Sequence, residues 1–572
     1  MDAPDTKWSI QQNNPELSGT IARALNISHL VSRVLVNRGI DTLEQADFFL
    51  SASLRDLHSP FQMKGMHRAV ERVCAAIRKR EKICIYGDYD VDGITATAIM
   101  VLFLRELNAE VSWYIPGRLE EGYSLNIDAL EKIRRSGVTL IITVDCGVSD
   151  CEKIAFARSQ GLDVIVTDHH VPPDELPAAN AIINPKQPGC DFPFKGLAGV
   201  GVAFNLIMAL RKELRDQGGW QSGMEPNLKK YLDLVAMGTI ADIVPMVDEN
   251  RIFVRNGLGI ISEGKRPGVK ALKSVCGIAN GEVTSSMIAY RLAPRINACG
   301  RLSNPDMALH LLLCQDSDEA FALARKIDEE NTHRQQIERK ILSHARKMIK
   351  TDEQLPAAII LASSAWHPGV VGLCASRLSE EFNRPTILIA VDEQSGEGRG
   401  SARSVQGFNI YNAIKLCDPL LKAFGGHKGA AGLTIPVEGI DEFKERFTGI
   451  ARQEFTKGHF TPAITIDAEI SLGELSYDVL EEIENLAPFG PSNPEPVFSS
   501  YELKFYSSMV VGNGHLKLKI KENGQFFDAI GFNMGSRYDL TDDKIRVAFV
   551  PQFNLFNGEK LIQLNLKDIK GV

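Results

Sequence analysis

Acidic and imidazole side chains gather at four places in this chain. Asp88, Asp90 and Asp92 alternate within Gly87-Asp88-Tyr89-Asp90-Val91-Asp92-Gly93. Asp145 stands in Asp145-Cys146-Gly147, Asp168-His169-His170 are consecutive, and Asp242 is the one acidic residue of the apolar stretch Gly238–Pro245. Carboxylates brought into one crevice repel each other and stay ionised together only when cations neutralise them. Oxygen donors combined with imidazole suit Mn2+ or Mg2+ rather than a thiol-seeking metal. Two such ions about 3.5–4 Å apart, bridged by one Asp, make a phosphoryl-transfer centre that lowers the pKa of bound water and stabilises charge on phosphate oxygens.

The elements around these residues suggest that they meet. Short β-branched runs at Lys82–Tyr86, Glu110–Ile115, Leu140–Val144 and Asp163–Thr167 alternate with helical patterns such as Ala69–Lys79 and Thr95–Glu106. Strands separated by helices predict a parallel α/β sheet, and their nearly continuous apolar character predicts helices on both faces. Three of the clusters follow three different strands directly. In an open parallel sheet the carboxyl ends of the strands line the ligand crevice, so these distant clusters should converge. Each has a simpler reading when taken alone. Asp88-x-Asp90-x-Asp92-Gly93 resembles the start of a calcium loop, but loop position 12 would be Ile99 rather than Glu. Asp145 could cap a helix, the histidines could be structural, and Asp242 could be a buried, hydrogen-bonded Asp.

Further along, residues 318–350 carry a long helical pattern without Gly or Pro, in which Ile337, Ile341, Ala345 and Met348 repeat at helical spacing. It predicts a connector between two lobes. A second alternating unit follows, with strands expected at Ala357–Leu361 and Pro385–Val391. From about residue 462 the strands become short and often alternating, at Ala463–Ile470, Glu502–Met509, His515–Lys521, Phe526–Phe532, Ile545–Pro551 and Ile562–Leu566. Turns such as Gly512-Asn513-Gly514 separate them, which predicts a small β-barrel or sandwich. The expected fold is α/β: two α/β lobes joined by a long helix, plus a C-terminal β-barrel.

Over these segments the chain resembles the DHH phosphoesterase superfamily. Tyr86–Gly93, Asp145–Gly147, Asp168–His170 and Gly238–Pro245 look like its successive motifs. Arg295-Ile296-Asn297-Ala298-Cys299-Gly300-Arg301-Leu302 and Gly425–Gly432 extend the likeness toward its bacterial single-strand-specific DNA exonucleases. The resemblance spans about 65 to 570. It implies that Asp90, Asp92, Asp145, His169 and Asp242 ligate two Mn2+ or Mg2+ ions with Asp145 as the bridge. Asp88 would lie beside them, and His170 would face the scissile phosphate. It further implies digestion of single-stranded DNA from the 5′ end to mononucleotides, in DNA repair and recombination. The implied divisions are an N-terminal helical extension (1–64), a DHH catalytic domain (65–262), a helical connector (263–352), a DHH-associated domain (353–457) and an OB-fold that grips single strands (458–572). Single-strand-binding protein and a helicase would be partners. A small-substrate phosphoesterase acting on short oligonucleotides and a non-catalytic DNA-binding scaffold are the competing readings. Tyr86, where related pyrophosphatases carry a His, argues against pyrophosphate as substrate.

An exonuclease must hold a polyanion and sense an end. Arg291, Arg295 and Arg301 cluster ahead of the connector, with Asn297 between them. Arg399, Ser401, Arg403 and Ser404 share a glycine-rich run. Arginine gives bidentate contact to phosphate, and glycine leaves backbone N–H groups open to it. The likeness makes this a pocket for a terminal 5′-phosphate; the plain reading is a charged surface loop. His427 and Lys428 are the only long side chains of the Gly425–Gly432 loop, which would clamp a strand or simply turn. Lys517, Lys519 and Lys521 share one face of a strand, and Phe526 and Phe527 follow on the next, as in a single-strand platform. Trp113, Trp220 and Trp366 read as core.

The bulk numbers fit such an enzyme without pointing to it. The chain has 572 residues, 44% of them hydrophobic and 24% charged, ordinary globular proportions for several domains. With a net charge of −8, any nucleic-acid contact must come from local basic patches rather than overall charge. Ten cysteines without a CxxC pair suggest reduced thiols in a cytoplasmic protein. The first 25 residues show no signal peptide, and no apolar run is long enough to span a membrane.

Overall fold

A computed structural model describes residues 6–118, 121–122, 124–220, 225–278, 281–349, 355–455, 463–512, 514–537, 544–556 and 559–571. Asn513 of the expected turn, and the expected boundaries at 352/353 and 457/458, lie outside these residues. The chain forms two compact units: Met1–Leu57 with Pro245–Ile252 and Thr461–Val572, and His58–Val244 with Phe253–Phe460.

The larger unit holds the acidic clusters. Its first sheet has five strands in the order Val111–Tyr114, Lys82–Gly87, Val138–Val144, Asp163–Thr167, Ala181–Ile183, all parallel. Cys84, Tyr86, Ile141, Val164 and Val166 pack with Leu130, Ile133 and Ile154. The alternate residues Ile83, Ile85, Ile142 and Ile165 are equally buried, so both faces are covered and the apolar runs are explained. Register is the feature that matters for chemistry. Gly87 pairs with Val144, Val144 with Thr167, and Thr167 with Ile183. Three strands therefore stop at one level, and Asp88, Asp145 and Asp168 are the next residue of each. The edge strand Ala181–Ile183 was not foreseen; three residues are too few for a periodic signal.

The helix Ser317–Met348 leads to the second sheet of this unit. Its strands run in the order Ala423–Gly426, Ala430–Pro436, Glu397–Arg403, Thr386–Asp392, Ile359–Ser363, with only the last two parallel. Ile341, Leu342 and Ala345 of the long helix pack with Val371 and Leu378 of the helix Val371–Phe382 and with Leu388 and Ala390 of the sheet. The connector is thus built into the core of the second sheet.

In the smaller unit, Lys544–Phe556, Leu503–Val511, His515–Glu522, Gln525–Gly531 and Glu559–Gly571 pair in succession, and the last returns to the first. The sheet closes into the expected barrel, which removes its free edges. Residues 6–57 belong to the same unit rather than standing apart as an extension. Lys7–Ile10 pairs in parallel with Ala463–Ile466, and Trp8 Nε1 donates to Asp568 at 2.7 Å. Leu30, Val34, Leu35 and Phe49 share a core with Leu480, Phe498 and Phe549.

Candidate active site

The Lys82–Gly87 strand passes into the helix Val91–Glu106 through the Asp88–Asp90 loop. Asp90 is the N-cap residue; its Oδ1 accepts from the backbone N–H of Asp92 at 2.9 Å and of Gly93 at 3.1 Å. Asp92 lies buried in the first turn. Its two oxygens accept from Gly199 N at 2.6 Å and Val200 N at 2.8 Å, the opening of the helix Gly199–Asp216, so a helix N-terminus favours its negative charge. Asp145 holds φ at +62°, the left-handed conformation, and its side chain is buried. A Cβ at position 199 would stand 2.5 Å from Asp145 Oδ1, and one at position 238 would stand 2.9 Å from Asp92 Oδ1. Only glycine admits the carboxylates there.

These residues form two triads of ligand atoms, Asp88–Asp90–Asp145 and Asp92–His169–Asp242, with the atoms of each within 4.8 Å of one another. They are joined through His169 Nε2, which lies 3.1 Å from Asp145 Oδ1 and 3.5 Å from Asp242 Oδ2. Asp88 Oδ1, Asp145 Oδ1, His169 Nε2 and Asp242 Oδ2 are buried and meet no hydrogen-bond partner among the described residues. Buried polar atoms are rarely left so, and here they all face the same crevice. Burial and the neighbouring carboxylates push Asp92 up to about 7 and Asp242 up to about 9, and hold Asp88 and Asp145 well above the carboxylate range. Burial, with His170 alongside, pushes His169 down to about 3 and leaves it a neutral donor. Five crowded carboxylates and a neutral imidazole make a donor set that fits divalent cations.

His170 differs from His169. Asp168 Oδ1 accepts from its Nδ1 at 2.7 Å and from its backbone N–H at 3.0 Å, while Asp168 Oδ2 accepts from Val148 N at 2.9 Å. Burial opposes protonation of His170, yet the bond to Asp168, with Asp88 and Asp92 near, holds its pKa above the ordinary value. One of its ring nitrogens also lies within 4.8 Å of ligand atoms of Asp145 and His169. A protonated imidazole is a poor metal ligand and a good partner for phosphate.

A cationic pocket adjoins this crevice. The helix Ala293–Leu302 lies over the Asp88–Asp90 loop: Asn297 Oδ1 accepts from Val91 N at 3.2 Å, and a Cβ at position 300 would stand 2.5 Å from Tyr89 O. Asn297, an expected phosphate contact, thus also braces the acidic loop through its Oδ1. Arg301 follows. Burial, and then Arg118, Arg334 and Arg403, push it down to about 10. Burial and Arg118 lower Arg403 as well. No carboxylate pairs with Arg301 or Arg403 among the described residues, and Arg403 Nη1 donates to Ser401 Oγ at 3.1 Å. A Cβ at position 372, in the first turn of Val371–Phe382, would stand 2.8 Å from Ser401 Oγ and 3.2 Å from Arg403 Nη2. Arginines against a helix N-terminus make an anion site.

Other expected contacts are engaged differently. Arg295 Nε pairs with Asp328 at 2.8 Å, and its Nη1 donates to Arg291 O at 2.6 Å. Ser404 Oγ donates to Phe408 O at 2.7 Å and serves its own turn. His427 is exposed on the hairpin between Ala423–Gly426 and Ala430–Pro436. Lys517 and Lys519 lie on the solvent side of a barrel strand whose Leu516, Leu518 and Ile520 are buried. Trp366 is buried as expected. Sequence reasoning missed Arg118, Asp168 as the partner of His170, and the Gly199–Val200 amides. Arg118 could have been found by applying the strand-end rule to Val111–Tyr114.

Comparison with known proteins agrees with this geometry. Residues 82–239 match the DHH family N-terminal domain, 352–453 the DHHA1 domain and 466–568 the RecJ OB domain. The chain is 40% identical to the single-stranded-DNA-specific exonuclease RecJ of Bacillus subtilis (strain 168), over 99% of this chain and 71% of that one. It is 36% identical to RecJ of Escherichia coli (strain K12), over 98% and 99%. The crystal structure of Thermus thermophilus RecJ in complex with Mn2+ superposes with a TM-score of 0.85 at 29% identity, covering 99% of this chain and 80% of that one. Its Mg2+ complex gives 0.79 at 28%, covering 99% and 79%. The chain belongs to the RecJ family of single-stranded-DNA-specific exonucleases.

Proposed function

We propose that this protein is a metal-dependent exonuclease that hydrolyses single-stranded DNA from the 5′ end to mononucleotides, in DNA repair and recombination. The observation that carries the reading is the pair of triads joined by the contact of His169 with Asp145, beside Arg301 and Arg403, which pair with no carboxylate among the described residues. Asp88, Asp90 and Asp145 would hold one divalent cation. Asp92, His169 and Asp242 would hold the other, with Asp145 shared. Manganese or magnesium bound there supplies charge for the phosphate oxygens and a more acidic water.

The chain's own groups do the rest. Glycines at 199 and 238 let the carboxylates approach, and the glycine at 93 admits the Asp88 backbone. Asn297 steadies the Asp90 cap. His170, held by Asp168, carries a proton that offsets charge on the scissile phosphate and can pass to the leaving oxygen. Arg118, Arg301, Ser401 and Arg403 receive the terminal phosphate at the start of Val371–Phe382, which would place the end nucleotide against the crevice and set the polarity. The barrel adds Lys517 and Lys519 as a second hold on the strand.

The divisions at 65–262, 263–352, 353–457 and 458–572 would follow this assignment, with residues 6–57 joined to the last of them. Among the described residues no helix is long and apolar enough to cross a membrane. A DNA substrate would place the enzyme in the cytoplasm. Single-strand-binding protein and a helicase are natural partners for an enzyme that needs exposed, unwound ends. Incubation of the purified chain with Mn2+ and a 5′-phosphorylated single strand should release mononucleotides from the 5′ end. Release from the 3′ end would reject the assigned pocket, and faster cleavage of dinucleotides than of long strands would favour a small-substrate phosphoesterase.

A further inference from the structure

Two apolar side chains stand in the open at the mouth of the acidic crevice. Ile243 directly follows Asp242 and is 73% exposed; Val171 directly follows His170 and is 67% exposed. Isolated exposed aliphatics are common on proteins, but these have two further properties. Ile243 sits at φ +59°, a left-handed conformation that a β-branched residue adopts at a steric cost. A strained backbone persists where the surroundings impose it, and such outliers concentrate at functional sites. The segments that carry the two residues also come together at one triad of ligand atoms. His169 Nε2 and Asp242 Oδ2 lie 3.5 Å apart, Ile243 is one residue beyond that contact, and Val171 is two beyond it, within about 7 Å of chain.

We infer that Ile243 and Val171 form an apolar rim on which a nucleobase of the substrate strand rests, next to the scissile phosphate. The inference rests on the exonuclease reading and adds a ligand group that phosphate contacts cannot explain. The donor groups of the crevice are carboxylate and imidazole, which address metal and phosphate, and the Tyr89 ring beside them is covered by the Arg118 guanidinium, 5.3 Å from its centre. An aliphatic pair supplies contact without hydrogen bonds, so it accepts any base. That property suits an enzyme that must move along unselected sequence. The strain at Ile243 is then the cost of turning its side chain outward instead of into the core.

The test uses the full-length protein with Mn2+ and two 5′-phosphorylated single-stranded oligodeoxynucleotides, one of thymidines throughout and one with tetrahydrofuran abasic residues at the first two positions. Wild type should digest the thymidine strand at least fivefold faster at subsaturating substrate. In Ile243→Gly, which suits the positive φ, that ratio should fall toward one with the change carried by KM, while the melting temperature holds or rises. Ile243→Asn tolerates the same backbone and should behave alike, and Val171→Ser should lower the ratio by less. An unchanged ratio in Ile243→Gly, or a lower melting temperature with the ratio intact, would overturn the base rim and leave the exonuclease reading standing. A wild type that releases nothing from either strand would instead remove the exonuclease reading itself.

Discussion

The acidic crevice and the arginine pocket are built by opposite routes to the same physical condition. In the crevice, parallel strands in register deliver Asp88 and Asp145 to one level, and a helix N-terminus secures Asp92. In the pocket, Arg118, Arg301 and Arg403 come from a loop, a helix and a strand of a different sheet. Each region concentrates buried charge of one sign in excess of its complement among the described residues. Burying unpaired charge is costly, so each is stable in use only with a partner from outside. Cations complete the one, and phosphate completes the other. The contrast teaches that the two halves of the substrate interaction should respond to different perturbations.

The sharpest way to separate them is Asp145→Ala. Loss of the shared ligand should reduce nucleotide release by about 10³-fold or more, the scale of losing transition-state charge stabilisation. Folding should survive, because one carboxylate fewer relieves repulsion in the crevice. Melting followed with and without Mn2+ checks both halves of the statement: wild type should gain stability with metal, and the variant should gain little. Turnover near wild type would remove Asp145 from the bridge.

Proton linkage gives the next effect. Asp92 and Asp242, pushed up to about 7 and about 9 without cations, must lose protons when metal binds. Apparent Mn2+ affinity should therefore rise with pH, by about 100-fold from pH 6 to 8 if one proton leaves per ion over that range. Calorimetric titration in buffers of different ionisation enthalpy measures the protons released. The stability of the metal-free protein should move the other way. Because these folded-state values lie above the unfolded carboxylate range, their contribution is present at pH 4 and is lost as pH rises through 7 and 9. A flat metal-free melting curve across that window would contradict the crowding of the crevice.

Legibility in the sequence follows the same division. Clusters at the ends of successive strands could be read because a parallel sheet places carboxyl ends together whatever the sequence between them. Asp242 sits at the end of a helix, where its isolation in an apolar stretch marked it and only family resemblance made it a ligand. The pocket was harder. Ser401 and Arg403 were suggested by type and composition, yet Arg118 lies in an irregular loop, and nothing in spacing links it to Arg301. Arg295 and Asn297 show uses that residue type did not suggest: the folded chain sets Arg295 on Asp328 and Asn297 Oδ1 on Val91 N. The packing of residues 6–57 onto the barrel was invisible because contact between segments hundreds of residues apart leaves no periodic trace.

Arg403→Ala tests the pocket alone. A charge-assisted bond to phosphate contributes about 1.5–3 kcal/mol, so preference for a 5′-phosphate over a 5′-hydroxyl end should fall by about 10- to 100-fold. Digestion of the hydroxyl end should change much less, since that substrate never engaged the site. Competition between the two ends in one reaction reads the ratio directly, and equal loss on both would assign Arg403 to general strand binding or to the fold.

The barrel sharpens the contrast because its charge is exposed. Phe526, 47% exposed, lies edge-on to Tyr506 with ring centroids 4.9 Å apart, and the Lys519 and Lys521 ammoniums stand 5.4 and 5.0 Å from its ring centre. Lysines in solvent need no partner to be stable, so strand binding here should be screened by salt and indifferent to ends. Lys519→Ala should lower the slope of log affinity against log salt by about 0.7, one phosphate on a single strand. Phe526→Ala should weaken long strands by the worth of one stacked base, about 1–3 kcal/mol. Neither should alter the ratio between phosphorylated and hydroxyl ends. If Lys519→Ala shifted that ratio as Arg403→Ala is expected to, end recognition would not depend on burial, and the distinction drawn between completed and exposed charge would fail.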